Sequence, residues 1–365
     1  MPVPGLQPSL PRSAYLSEDT FATERERLFA RSWWCAGREE DLPSGAGAYL
    51  RTVVAGEQLL VVRAGDGALR AFANVCRHRG AELVDTTDPG TTRGCFPGAI
   101  RCPYHSWTYG LDGVLRATPH LGDVEHAAFG LHQAELATWA GFVFVRLEAG
   151  VSSLADELGP IAPRLANYPL AALGTAETLH YTVQANWKVL AENYNECYHC
   201  GPVHPELCHL VPAFRRGGGS GLDWDRGIPH RDGAYTFTTT GTTARRPFPG
   251  LDADERERHK AELVYPNLLL SLSCDHVAAF VLHPTSAATT HVECRFLFHP
   301  DETTRPGFDP GDAVELWDVV NRQDWAICER VQRGMASRWF DYGWFAPVED
   351  PSLDIRRWWT ARMSP

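Results

Sequence analysis

The sequence predicts an α+β protein with a helical segment at residues 1–40, an all-β domain at 41–150, and a larger mixed domain at 151–365 on which the first segment packs. Three observations carry this reading. Between Tyr49 and Val145 short apolar runs alternate with turn signals such as Gly65-Asp66-Gly67 and Asp112-Gly113, the pattern of a small β unit. After Gly150 helical and strand periods mix. No solenoid or propeller repeat and no low-complexity segment competes with that division.

In chain order, 18–29 is expected as a short helix capped by Ser17, with Phe21, Leu28 and Phe29 as its apolar contacts. Strands are expected at 49–54, 58–63, 71–75, 99–102 and 141–146. The second half is expected to hold helices near 152–166 and 186–199, strands near 233–240 and 262–298, and a final helix near 312–338. The Gly-rich 217–221 and the Pro-rich 245–250 read as loops.

Composition narrows the function. Of 365 residues, 44% are hydrophobic and 22% charged, as in a folded chain and not a disordered one. A net charge of −11, with no basic block longer than pairs such as Arg215-Arg216 and Arg245-Arg246, leaves a nucleic-acid role without electrostatic support. No run approaches the roughly 18 apolar residues of a membrane span. The best candidate, 268–282, is interrupted by Ser271, Ser273, Cys274, Asp275 and His276. The first residues lack the basic region and apolar core of a secretory signal, so a cytoplasmic, reducing location is expected. In such a compartment ten cysteines beside fifteen histidines point to metal more than to disulfides.

Two clusters concentrate the chemistry. Cys76-Arg-His78-Arg-Gly80 and Cys102-Pro-Tyr-His105-Ser-Trp107 each offer one thiolate and one imidazole on a loop between expected strands. Two Cys and two His suit a tetrahedral zinc or a [2Fe–2S] cluster with two imidazoles on one iron. Zinc fingers group Cys with Cys and His with His, whereas here each loop supplies one of each, which favours the cluster. Neutral imidazoles would raise its potential to roughly −150 to +300 mV. The 79–101 loop is long, and Cys95 within it lacks a His at the required offset and is left as a loop cysteine.

The second cluster holds His199 and His204. Five residues apart on one unbroken helix, their side chains would diverge by about 140°. Gly201-Pro202 is expected to end the helix carrying Glu196 and His199 and let His204 swing back. A zinc knuckle from Cys197, Cys200, Cys208 and His209 is the competing reading. On the last helix Trp317, Val320, Asp324, Ile327 and Val331 share one stripe, so Asp324 stands on an apolar face where a carboxylate must be metal-bound or paired, for instance with Arg295. Two His and one carboxylate leave iron open positions for O₂ and substrate.

Together these residues resemble the terminal oxygenase α subunits of Rieske non-haem iron oxygenases. The resemblance rests on Asn74-Val-Cys-Arg-His-Arg-Gly80, Cys102-Pro-Tyr-His-Ser-Trp-Thr-Tyr109, Asn186-Trp-Lys188, Glu192-Asn-Tyr-Asn-Glu-Cys-Tyr-His199 through His204-Pro205, and Gln323-Asp-Trp through Gly334. It implies a Rieske domain, a helix-grip (START-like) catalytic domain, rings of three subunits, and Cys76, His78, Cys102 and His105 on the cluster with His199, His204 and Asp324 on iron. Flanking residues are most similar to the glycine betaine and choline monooxygenase and stachydrine demethylase branch, which implies oxidation of a methyl beside a quaternary nitrogen. Hydroxylation of an aromatic ring or another hydrophobic substrate is the alternative.

The resemblance also implies that electrons cross between subunits through a carboxylate. Glu196, three residues before His199, is then expected to join it to His105 of a neighbouring copy. A separate flavin and iron–sulfur reductase using NADH or NADPH is expected, since the chain shows no Gly-x-Gly-x-x-Gly loop. A quaternary ammonium is best held by aromatic faces. Tyr194, Trp224, Tyr235, Phe237, Tyr265, Phe280 and Trp325 are the candidates in the catalytic half.

Overall fold

The computed structural model describes residues 5–122, 124–150 and 152–364. They fall into two units: Phe29–Leu154, and the chain up to Leu28 together with everything from Ala155 onward.

The first unit is built on a seven-stranded antiparallel sheet in the order Trp34–Arg38, Phe142–Arg146, Gln133–Trp139, Leu69–Ala73, Glu57–Arg63, Ala48–Val54 and Arg93–Cys95. A three-stranded sheet of Ala99–Arg101, Thr108–Gly110 and Leu115–Ala117 carries the second Cys/His loop. Two hairpins turn on Ala-Gly pairs. Ala55 and Gly56 at φ 52 and 84, and Ala140 and Gly141 at φ 54 and 78, take the left-handed conformations that match the twist of the paired strands. The expected boundary at residue 40 moves to 28, because Trp34–Arg38 pairs with Phe142–Arg146 and is buried throughout. The long 79–101 loop is ordered: Asn74 Oδ1 accepts from Leu83 N and Val84 N at 3.1 and 2.9 Å, and Arg93–Cys95 adds the sheet's edge strand.

The second unit centres on a six-stranded antiparallel sheet of Gly174–Val183, Thr289–Phe298, His276–Ser286, Leu268–Leu272, Arg258–Val264 and Ile228–Pro229. The helix Gly311–Met335 belongs to this unit and buries Ala313, Leu316, Trp317, Val320, Cys328, Gln332 and Met335. The expected stripe drifts: Val331 is 40% exposed and Gln332 takes its place, since 3.6 residues per turn rotate the buried face along a long helix. Gln332 is tolerated there because its Oε1 accepts from Asn186 N and its Nε2 donates to Tyr15 O.

Three further expectations are corrected. Residues 233–240 form bends and not a strand; the Thr236 hydroxyl is spent on Asp275, and Thr238 Oγ1 donates to Thr242 O at 2.8 Å. The helix expected at 186–199 runs only from Trp187 to Tyr194. The final helix is Asp350–Met363, hidden in the sequence because Arg356-Arg357 beside Trp358-Trp359 blurs any apolar stripe. Among the described residues no helix is long and apolar enough to cross a membrane.

Candidate active site

The helix Trp187–Tyr194 is pinned at its start. Asn186 caps it through Lys188 N at 3.1 Å, and Lys188 Nζ, wholly buried, meets Glu24 Oε1 at 2.5 Å. Trp187 and Trp359 donate their indole N–H groups to the same carboxylate at 3.1 and 2.6 Å. Burial lowers the Lys188 pKa, and the Glu24 charge opposes that shift. After Tyr194 the helix stops, so Glu196 and His199 share a turn and not a helical face. Glu196 Oε2 accepts the Tyr198 and His199 backbone N–H groups, the latter at 3.1 Å, while Oε1 lies 2.6 Å from His199 Nδ1. Gly201-Pro202 does not end a helix; it lies in a new short one, Cys200–Val203, and His204 stands between this and the next, Pro205–Leu210.

The chain thus turns the two imidazoles toward each other. His199 Nε2 and His204 Nε2 are 3.1 Å apart, and Asp324 Oδ1 lies 3.2 and 2.9 Å from them. Bonds of about 2.1 Å to one ion at right angles place neighbouring donor atoms about 3.0 Å apart, so these three atoms have the separations of adjacent ligands. The opposite ring nitrogens are already engaged: His199 Nδ1 by Glu196 and His204 Nδ1 by Gln323 Oε1 at 2.8 Å. An N–H at Nδ1 leaves the Nε2 lone pair for a metal. Gln323 is oriented by its own amide N–H, which donates to Glu206 Oε2 at 3.0 Å.

Burial disfavours a charged His199, yet hydrogen bonds to the Asp324 and Glu196 carboxylates outweigh it and push the pKa up to about 11. The field that favours a proton there also favours a divalent cation in its place. Asp324 is opposed by burial but is held below the usual carboxylate range by His199 and His204. Its partners are therefore imidazoles, and the Arg295 guanidinium meets Glu293 instead.

A second candidate for the third donor exists. The Cys200 thiol belongs with His199 and His204 to a group whose ligand atoms all lie within 4.8 Å of one another. Asp324 is the better donor, because its oxygen is within 3.2 Å of both nitrogens and is ionised, whereas burial and a hydrogen bond with Cys197 hold the Cys200 pKa well above 9.0. Burial likewise raises Cys197 and Cys208, and His209 is exposed against Arg231. The zinc-knuckle set does not assemble.

A cavity of about 80 Å³ opens beside these donors. Of the seven aromatic residues noted in this half, Tyr194, Trp224 and Phe237 line it; Tyr235, Tyr265, Phe280 and Trp325 are not among its lining residues. Sequence reasoning missed Phe214, His259 and Trp317. Trp317 could have been found, since it sits seven residues before Asp324 on the same stripe, whereas nothing in the sequence marks His259.

In the first unit Cys76 and Cys102 are each 2% exposed, while His78 and His105 are exposed with ring centroids 4.7 Å apart. Trp107 stacks on His78 at 4.8 Å, and Tyr109 Oη lies 3.2 Å from Cys76 Sγ and accepts from Arg77 N. Backbone bonds from Cys76 N to Ala81 O and from Cys102 N to Trp107 O close both loops. Gly80 adopts φ +76, a conformation that favours glycine. Two buried sulfurs and two imidazoles at the surface suit a cluster whose thiolate iron is sheltered and whose imidazole iron faces outward. Arg79 is exposed and donates to Tyr104 Oη at 3.3 Å. Cys95 lies on the edge strand.

An all-β unit with a Cys₂His₂ double loop, followed by a mixed α/β unit with a His, His, Asp cradle, defines an iron-dependent oxygenase of the Rieske type. Residues 170–365 match the family described as ring hydroxylating alpha subunit (catalytic domain), and 32–130 match the Rieske [2Fe-2S] domain; the chain belongs to the ring-hydroxylating alpha-subunit family. It is similar to the glycine betaine monooxygenase oxygenase subunit of Pseudomonas aeruginosa, 28% identical over 97% of this chain and 89% of that protein. The carnitine monooxygenase oxygenase subunit of Acinetobacter pittii is 29% identical over 90% of this chain and 86% of its own length. The crystal structure of the quaternary ammonium Rieske monooxygenase CntA with L-carnitine superposes at a TM-score of 0.76, with 25% identity, over 99% of this chain and 97% of that one. Naphthalene 1,2-dioxygenase from Rhodococcus sp., at 20% identity and a TM-score of 0.75 over 98% and 95% of the two chains, shares the fold. The chain is therefore an oxidoreductase, the oxygenase subunit of a reductase-dependent system, with a [2Fe–2S] cluster and a mononuclear iron as cofactors.

Proposed function

We propose that this chain hydroxylates an N-methyl, or adjacent, carbon of a small quaternary ammonium compound of the glycine betaine, choline and carnitine kind. The observation that carries the reading is the cavity beside the His199, His204 and Asp324 donors, lined by the aromatic residues Trp224, Phe237 and Trp317. Aromatic faces hold a cation that has no N–H to donate. The activities for which its relatives are named point the same way.

Cys76, His78, Cys102 and His105 hold the cluster in this reading, and His199, His204 and Asp324 hold the iron. Bound iron supplies the activation of O₂. The residues around it would orient His199 and His204 through their Nδ1 atoms, exclude water, and hold the methyl beside the iron. One oxygen atom enters the C–H bond and the other leaves as water, with two electrons from the reductase and two protons. The carbinolamine then loses formaldehyde and a proton to give the tertiary amine. Glu196 links His199 to His105 of a neighbouring copy within a homotrimer, and the work is done in the cytoplasm.

The test is formaldehyde formed per NADH consumed with a matched reductase and glycine betaine, choline, carnitine or stachydrine. Formaldehyde from at least one is expected. None from any of them, with hydroxylated product from an aromatic acid, would move the assignment to ring hydroxylation, which the same aromatic walls also accommodate.

A further inference from the structure

Two residues that line the cavity carry ring nitrogens that the iron site does not use. Trp317 is 6% exposed, lines the cavity, and its Nε1 is buried with no hydrogen-bond partner among the described residues. An indole N–H left dry in this way costs free energy that a ligand acceptor recovers. His259, 2% exposed, also lines the cavity, stacked on Phe237 at 3.8 Å. Its Nδ1 is 3.3 Å from Ser273 Oγ, and that oxygen already accepts from Phe237 N at 3.2 Å. The serine proton is free to go to Nδ1, and in the tautomer that accepts it, which the proposal takes, the ring hydrogen of His259 stands on Nε2. Burial, with His230 and His276 adding to it, keeps the ring neutral. The His259 and Trp317 rings are 6.0 Å apart and both meet Phe237, so the two donors share one wall.

Charge in the same cavity is one-sided. The ionic side chains lining it are Glu196 and Asp324, and no lysine or arginine is among the lining residues. Apart from the iron that His199, His204 and Asp324 would hold, a substrate carboxylate placed there would have no cation to pair with, a costly arrangement in a dry site. An alcohol or carbonyl oxygen needs only the neutral donors on offer.

Resting on the quaternary ammonium reading, we propose that Trp317 and His259 are positioning residues that anchor an uncharged oxygen at the end of the substrate remote from its nitrogen. The site accordingly selects a choline-like alcohol over glycine betaine or carnitine, whose polar ends are carboxylates.

Binding to the iron-loaded enzyme under anaerobic conditions is measured by calorimetry for choline, glycine betaine and ethyltrimethylammonium, which has choline's shape without the hydroxyl. Choline is expected to bind at least tenfold more tightly than glycine betaine. Trp317→Phe, which keeps the ring and removes the N–H, is expected to lower the choline-over-ethyltrimethylammonium affinity ratio about tenfold, with KM for choline rising more than kcat falls. Tighter binding of glycine betaine than of choline would overturn the proposal. So would an equal loss for choline and ethyltrimethylammonium in Trp317→Phe, which marks a packing role. Should that variant not fold, the wild-type preference decides alone. Failure of every ammonium compound to bind or react, with an aromatic acid hydroxylated instead, overturns the function reading and this inference with it; ammonium turnover with a betaine preference overturns only the inference.

Discussion

Replacing the third donor tests the iron cradle most directly, because two residues compete for the part. Asp324→Ala removes an oxygen that lies 3.2 and 2.9 Å from the two Nε2 atoms; Cys200→Ala removes the sulfur that shares their neighbourhood. A residue acting one bond further out, through another ligand, costs about 10–100-fold in metal affinity. A direct donor that also supplies the charge must cost more, so loss of Asp324 is expected to weaken iron by over about 100-fold, or about 2.7 kcal/mol. Burial keeps the Cys200 thiol protonated at neutral pH, hence a poor ligand, and its loss should leave iron in place at a stability cost of about 1 kcal/mol for the vacated volume. The assay is iron per chain by emission spectrometry after dialysis against a graded chelator, with circular dichroism to establish folding. If Cys200→Ala loses mononuclear iron and Asp324→Ala keeps it, the assignment of Asp324 is wrong.

Other perturbations have equally definite outcomes. Glu196→Gln removes the charge beside His199 Nδ1 but keeps an acceptor at that place; product formation per electron should fall at least tenfold even in samples restored to full iron, and unchanged turnover with both iron sites filled would remove Glu196 from the electron path. Glu192, buried against the Tyr15 hydroxyl at 2.6 Å, has its pKa pushed up to about 8, chiefly by burial. The unfolded chain releases that proton near about 4.3, so the group costs stability as pH rises from there to about 8. Glu192→Gln should flatten that decline in Tm, and an unaltered pH profile would contradict the assignment. Cys76→Ser should bleach the visible cluster spectrum and leave about one iron per chain, the mononuclear one.

The sequence made the candidate donor types legible and their local geometry less so. His78, His105, His199 and His204 stand out because short spacing to Cys or to one another is visible in one dimension. Asp324 stands out as a carboxylate that breaks an apolar stripe, and the stripe itself drifts from Val331 to Gln332. What failed depended on the backbone. The sequence puts Glu196 on a helix, yet that helix stops at Tyr194, because a carboxylate accepting two backbone N–H groups of its own turn competes with helix continuation. The Ala-Gly hairpin turns lacked the Asn or Asp that usually announces them. His259 joins the cavity only through sheet pairing, Ile228 opposite His259, which no local pattern encodes.

One imidazole shows how far the site depends on residues with no chemistry of their own. His204 is held at both ends by neighbours in sequence, Nδ1 by Gln323 and Nε2 by Asp324, at 2.8 and 2.9 Å. Adjacent residues on a helix point about 100° apart, so a single ring can bridge them only at one rotation of the helix Gly311–Met335 about its axis. That rotation is set about two turns further on, where Gln332 bonds Asn186 N, Tyr15 O and Ala287 O, and Asn186 itself bonds the last two carbonyls while capping the helix that leads to His199. The buried amides of Asn186 and Gln332 thereby couple the helix bearing Asp324 to the segment bearing His199. A slip of one residue in either would separate the carboxylate from the imidazoles, which is the physical reason polar groups are kept in this core where apolar ones would pack as well.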